Sequence, residues 1–276
     1  VAIRRIRLLG IPSDRHSSWL RGAAQAPEVI RAALRSDAGN LVAENGVEIG
    51  VDVALEDAGD VVIDDTDADD ARIEAAVRVL ATGAPAERVL CLGGDHAITL
   101  PVVRALAAVH GPLEILHIDA HPDLYHDYEG NPRSHASPFA RIMEQGLARR
   151  LVQVGIRTAN RHQREQAARF GVETIAMREF ALERIPRLAG PLYISLDLDG
   201  LDPAHAPGVS HPEPGGLTVR DVLAVLHAQT APLVGADIVE LNPARDPQGL
   251  TATLAAKLLK ELCSIADRPA SAPQAR

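Results

Sequence analysis

The sequence predicts an α/β protein: a mostly parallel sheet with helices covering both faces. Short apolar runs alternate with helix-patterned segments along the whole chain. Hydrophobic residues make up 46% of the 276 residues and aromatic residues only 3%, so the core must rest on Val, Leu, Ile and Ala. No internal repeat or linker interrupts the pattern. One domain over 1–267 is expected, followed by a disordered Pro/Ala/Ser-rich tail at 268–276.

Residues 6–11 read as the first strand. Pro27 then opens a helix through Ile30 and Leu34, because the first turn has no N–H partner for proline to lose. Eight of the fifteen residues from 56 to 70 are acidic, and this run reads as a solvated loop. Ile73, Ala76, Val77 and Leu80 share one helical face and predict a helix over 70–82. Strand 89–92 leads into Gly93-Gly94-Asp95-His96 and a helix with Val102, Val103, Leu106 and Val109. Strand 113–118 leads into Asp119-Ala120-His121-Pro122-Asp123. Strands 151–156, 192–196 and 233–239 follow, with helices at 161–169 and 219–229; strand 192–196 runs into Asp197-Leu198-Asp199. A last helix carries Leu254, Leu258, Leu259 and Leu262.

A net charge of −9 argues against a nucleic-acid surface and suits a cationic small-molecule substrate. No apolar run approaches the ~18 residues of a membrane span, and no charged-then-apolar leader opens the chain. Cys91 and Cys263 are too few for a disulfide framework. A reduced, cytoplasmic setting is expected.

The three polar motifs share one trait: each follows an apolar strand. Residues two apart on an extended chain point to the same side, so Asp119, His121 and Asp123 can converge, as can Asp197 and Asp199. With His96 they make four carboxylates and two imidazoles. Such crowded acids repel one another and resist burial unless cations sit among them. This donor set, free of thiolate, suits divalent ions such as Mn²⁺ and points to a two-metal hydrolase. In parallel sheets, sites form beyond the carboxyl ends of the strands, where all three motifs lie. Gly93-Gly94 lacks the Lys-Ser/Thr of a phosphate loop and is better explained by close backbone packing.

The chain resembles the ureohydrolases, the family of arginases and agmatinases, and is most like the plant-type arginases. The likeness is carried by residues 93–99, 119–125, 129–141, 195–218 and 235–243, with Ser134-His135-Ala136-Ser137 and Ala206-Pro207-Gly208-Val209-Ser210 the most specific. The resemblance implies a three-layer α/β/α sandwich and two Mn²⁺ ions per chain, bridged by hydroxide. It assigns His96, Asp119, Asp123 and Asp197 to one ion, and His121, Asp119, Asp197 and Asp199 to the other. It also implies that His135 shuttles a proton to the departing amine, that Asp123 orients the nucleophile and that Glu240 binds the substrate guanidinium. Shuttling suits a group that titrates near working pH, and a carboxylate receives guanidinium through paired N–H bonds.

Family members are usually trimers or hexamers, so a homo-oligomer is implied. The expected reaction is hydrolysis of L-arginine to ornithine and urea; agmatine or a guanidino acid is the alternative substrate. A metal-binding regulatory protein without turnover and a one-zinc deacetylase-like hydrolase are the readings from other classes. An amino-acid substrate needs a partner for its α-carboxylate, and Asn131 and Arg133 lie in the segment that joins the metal motif to His135. The plant pattern favours an aromatic residue where Arg133 stands. His117 reads as a buried partner of Asp119, and His126, His205 and His211 as residues of the cavity mouth.

Overall fold

A computed structural model describes residues 3–83 and 87–266. Residue 267 and the expected tail at 268–276 lie outside the described residues. The predicted strands correspond to β1 (Arg4–Ile11), β3 (Arg88–Gly93), β4 (Leu113–Ile118), β5 (Ala148–Ile156), β7 (Leu192–Asp197) and β8 (Leu233–Val239). Two further strands, β2 (Val53–Asp60) and β6 (Glu173–Ala176), close the two edges of one eight-stranded sheet, in the order β2-β1-β3-β8-β7-β4-β5-β6. Every pairing is parallel, so the sheet is purely parallel rather than mostly so.

The helices are α1 (Ala26–Leu34), α2 (Asp69–Ala81), α3 (Thr99–His110), α4 (Pro138–Glu144), α5 (Arg161–Phe170), α6 (Val219–Ala228) and α7 (Leu250–Ala266). Ile30, Val222 and Leu258, from α1, α6 and α7, pack with Leu90, Ile194 and Ile238 on one face of the sheet. Val77, Leu106 and Phe139, from α2, α3 and α4, pack with Val89, Ile115 and Tyr193 on the other. Neighbouring strand residues such as Val89 and Leu90 thus feed opposite cores. Burial on both faces explains why the central strands read as mostly apolar runs rather than as alternating ones. Each fully buried Leu, Ile or Val contributes roughly 1.5–3 kcal/mol of transfer free energy.

The acidic run departs from its expected form. Residues 56–60 belong to edge strand β2, where Asp57 and Asp60 pair with Arg31 of α1 at 3.0 and 2.5 Å, and Asp69 and Asp70 begin α2. An edge strand tolerates charge because one of its sides faces water. The short, mostly exposed β6 gave no apolar signal for the same reason.

The topology places the site. The chain leaves β3 for β4, three positions away, and only later fills the gap with β7 and β8. The carboxyl ends of β3, β8, β7 and β4 therefore lie side by side although their sequences are far apart.

Candidate metal centre

Beyond β3 the chain makes a sharp, close-packed turn. A Cβ on Gly94 would lie 1.8 Å from the Ser13 carbonyl oxygen, so only glycine admits the crossing of the loop after β1. The Asp95 N–H donates to that carbonyl at 2.8 Å. His96 follows, wholly buried, with its Nδ1 3.2 Å from Asp119 Oδ2, 3.1 Å from Asp123 Oδ2 and 3.1 Å from Asp197 Oδ2. Despite these distances Nδ1 has no hydrogen-bond partner among the described residues. That is the geometry of groups aimed at a common point between them rather than at one another.

The other ring nitrogen is anchored. Ser195 Oγ donates to Asp237 Oδ1 at 2.7 Å and lies 2.9 Å from His96 Nε2, so its lone pairs accept the Nε2 proton. Asp237 is held in turn by Thr99 Oγ1 and the Tyr193 hydroxyl, which donate to its Oδ2 at 2.6 and 2.5 Å. Such a relay orients a ring for coordination through Nδ1. Burial alone would lower the His96 pKa, but the Asp119, Asp123 and Asp197 carboxylates raise it well above the usual value. The three acids draw a positive charge to this point, and a divalent ion satisfies that demand better than a proton.

The second half of the cluster is built around His121. Its Nδ1 lies 3.1 Å from Asp199 Oδ2 and 3.4 Å from Asp119 Oδ1. Asp119 therefore turns one oxygen to each histidine, the arrangement a bridging carboxylate needs. Burial, with Asp199 and Asp119 adding to it, pushes Asp197 well above the usual carboxylate range. Burial also pushes Asp199 up to about 6, against the pull of His121. Acids so strained electrostatically, mixed with imidazole and free of thiolate, fit hard divalent ions.

His117 is not a free ligand. Gln153 Nε2 donates to its Nδ1 at 3.0 Å, and its own Nε2 donates to Asp119 Oδ2 at 2.7 Å. It is thus the buried partner that orients Asp119, with burial lowering its pKa.

A cavity opens over the cluster, lined by His121, Asp123, Asp197 and Asp199 and also by His135 and Glu240. His135 Nδ1 lies 2.8 Å from Glu240 Oε1, which also accepts the His96 N–H at 2.8 Å. Burial disfavours the His135 charge, but the Glu240 carboxylate outweighs it and carries the pKa up to about 9. Asp123 and Glu240 adopt left-handed backbone conformations, with φ of 49° and 67°. Such strain, on the order of 1–3 kcal/mol for a non-glycine residue, concentrates where side-chain aim matters.

The two residues expected to meet a substrate carboxylate lie away from this cavity. Arg133 Nη2 pairs with Asp70 Oδ2 of α2 at 2.5 Å and does not line the cavity. Asn131 is absent from the lining too; its Oδ1 accepts the Arg133 N–H at 2.9 Å and shapes the local turn. The acid that Arg133 meets comes from α2, far from it in the chain. His126 and His205 are exposed and outside the lining, while His211 belongs to it. Ser18, Thr158 and Gln163, which belong to none of the sequence motifs, also line the cavity. Ser18 and Thr158 come from the loops after β1 and β5 and Gln163 from the first turn of α5, and nothing in their local sequence marks them. Ser18 reaches His135 because buried Asp95 holds its loop, accepting the His16 N–H at 2.9 Å; Ser18 Oγ then sits 2.8 Å from His135 Nε2.

Residues 4–264 match the Arginase family. Arginase 1, mitochondrial, of Arabidopsis thaliana is 50% identical over 274 residues, covering 93% of this chain and 80% of that protein. The N(1)-aminopropylagmatine ureohydrolase of Thermus thermophilus is 38% identical over 250 residues, covering 87% of this chain and 83% of the other. The solved arginase of Medicago truncatula superposes with a TM-score of 0.91 at 45% identity, covering 95% of this chain and 87% of that one.

Proposed function

The chain belongs to the arginase family, and on that premise we propose that it hydrolyses L-arginine to L-ornithine and urea at a centre of two Mn²⁺ ions. The convergence of His96 Nδ1 with three carboxylate oxygens, at a point no hydrogen bond occupies, is the observation that carries the metal centre. Identity to plant arginases across 93% of the chain supports the choice of arginine. One ion is assigned to His96, Asp119, Asp123 and Asp197, the other to His121, Asp119, Asp197 and Asp199. When bound, two divalent ions lower the pKa of a shared water and so supply a strong nucleophile at neutral pH.

The chain's own residues handle the rest. Glu240, on the cavity wall, is the acid available to receive guanidinium N–H groups and hold the electrophilic carbon in line. Asp123 can take the proton of the attacking water. His135, kept charged beside Glu240, can return a proton to the departing amine, whose basicity would otherwise make it a poor leaving group.

A second reading has its own support. Among the described residues neither Arg nor Lys lines the cavity, so the donors they offer an α-carboxylate are imidazole and neutral groups such as Ser18, Tyr128, Thr158 and Gln163. A substrate without that carboxylate, such as agmatine, would forgo little. Urea release by the Mn²⁺-loaded protein, with L-arginine and agmatine at matched concentrations, separates the two. Preference for arginine is the expected result. Preference for agmatine would keep the centre and replace the substrate, while no urea from either would remove the reading.

The reading carries a homo-oligomer, a trimer or a hexamer, which sedimentation can resolve. It also carries a reducing compartment such as the cytoplasm, in keeping with Cys91 and Cys263, both buried and unpaired. No helix among the described residues is long and apolar enough to cross a membrane.

A further inference from the structure

Arg157, at the end of β5, makes an unusual set of contacts. Among the described residues its guanidinium donates to no carboxylate and instead reaches five backbone carbonyls. Nη2 lies 2.7 Å from Asp199 O, 3.2 Å from Leu201 O and 2.6 Å from Glu213 O. Nη1 lies 3.1 Å from both Gly155 O and Gly200 O, and Nε lies 3.1 Å from Glu213 O. The Arg157 backbone N–H donates to Ala120 O at 2.9 Å. One residue thus ties together the loops after β4, β5 and β7 and the segment that follows Glu213.

We propose that Arg157 is a positioning residue for one half of the metal centre, the half held by His121 and Asp199. The proposal rests on the two-ion reading above and adds a structural asymmetry to it. Three consecutive carbonyls, from Asp199 to Leu201, are fixed by a single planar donor group. The fixed loop is pressed against the bridging ligand's backbone: a Cβ on Gly200 would lie 2.9 Å from Asp119 N. Asp199 Oδ1 accepts the Ala120 N–H at 3.2 Å, so the Asp199 side chain is set by the same contact. The packing is equally tight on the far side, where a Cβ on Gly216 would lie 2.7 Å from Arg157 Nη2.

Among the described residues no contact of the Arg157 guanidinium is to His96 or to the groups that anchor it. His96 hangs on Ser195 and Asp237, within the sheet, and the described Arg157 contacts touch neither. Only an arginine suits this task, because its five N–H donors form a rigid planar fork. A lysine keeps the charge but offers three donors on one nitrogen.

The test is Mn²⁺ binding to wild type, Arg157→Ala and Arg157→Lys, read by bound stoichiometry at limiting metal and by the electron paramagnetic resonance signal. Wild type should hold two ions with a spin-coupled signal. Arg157→Ala should hold one tightly and the other about 10–100-fold more weakly, the usual size of losses behind a ligand, and give an isolated-ion signal. Arg157→Lys should weaken the same ion by less. Equal weakening of both ions, or unchanged affinity for both, would overturn the proposal. Should Arg157→Ala not fold, the lysine variant decides by the same two criteria. Failure of wild type to bind two ions would instead remove the centre itself, and the positioning claim with it.

Discussion

The two histidine-bearing halves of the cluster are built by different means. The His96 side chain is fully buried, and its aim is set by a chain of side-chain hydrogen bonds through Ser195 to Asp237. The His121 side chain is 28% exposed, and its surroundings are set by backbone contacts between loops. One half is an extension of the core, so perturbing it should disturb stability as well as metal binding. The other is a feature of loops held at their carbonyls, and its metal affinity should be separable from the fold. A protein can therefore tune one ion without disturbing the scaffold that carries the other.

The largest effect should come from a change that touches both halves. Asp119→Asn removes the charge of the carboxylate shared by His96 and His121, and it should cost at least about 100-fold in affinity for each ion. Metal content after dialysis checks this. Retention of one ion at full affinity would mean that Asp119 serves one side only.

Next in size is a pair of variants that sets one half against the other. Ser195→Ala should leave an oxygen of buried Asp237 without its donor and should lower stability by about 1–3 kcal/mol, together with metal affinity on the His96 side. His121→Ala should remove one ion while lowering the stability of the metal-free protein by less. Chemical denaturation of both metal-free variants measures the contrast, and equal stability losses would erase the distinction between core-built and loop-built halves.

The smallest effect belongs to Arg133→Ala, which lies outside the contrast altogether. Its partners are Asp70 and Asp67, and partly exposed ion pairs of this kind contribute about 0–1 kcal/mol. The kcat/KM for arginine should stay within about twofold of wild type, with no change in the arginine-to-agmatine ratio. A selective loss on arginine would restore Arg133 as a substrate contact.

How legible the site was depends on how each residue enters it. Asp119, His121, Asp123, Asp197 and Asp199 sit at or just beyond the ends of mostly apolar strands, so their two-residue spacing and their position at a strand end were readable together. His96 and Glu240 follow strands in the same way. Ser18, Thr158 and Gln163 have no such signal, because an ordinary polar residue on a loop or in a helix's first turn acquires its meaning only from what that segment is folded against. Arg157 was equally silent. Its partners are carbonyl oxygens, which every residue has and which no sequence pattern can display.

By itself the sequence determined the class of fold and the strands of the sheet's interior, and it supplied the donor set proposed for the centre. Apolar burial on two faces and strand-end chemistry are local properties that periodicity and spacing record. Only the tertiary structure decided the order of the strands, the two charged edge strands, the diversion of Arg133 to Asp70 and the separate support of the two histidines. Each of these depends on contacts between segments far apart in the chain. Their energies come from distances and angles that no single stretch of residues contains.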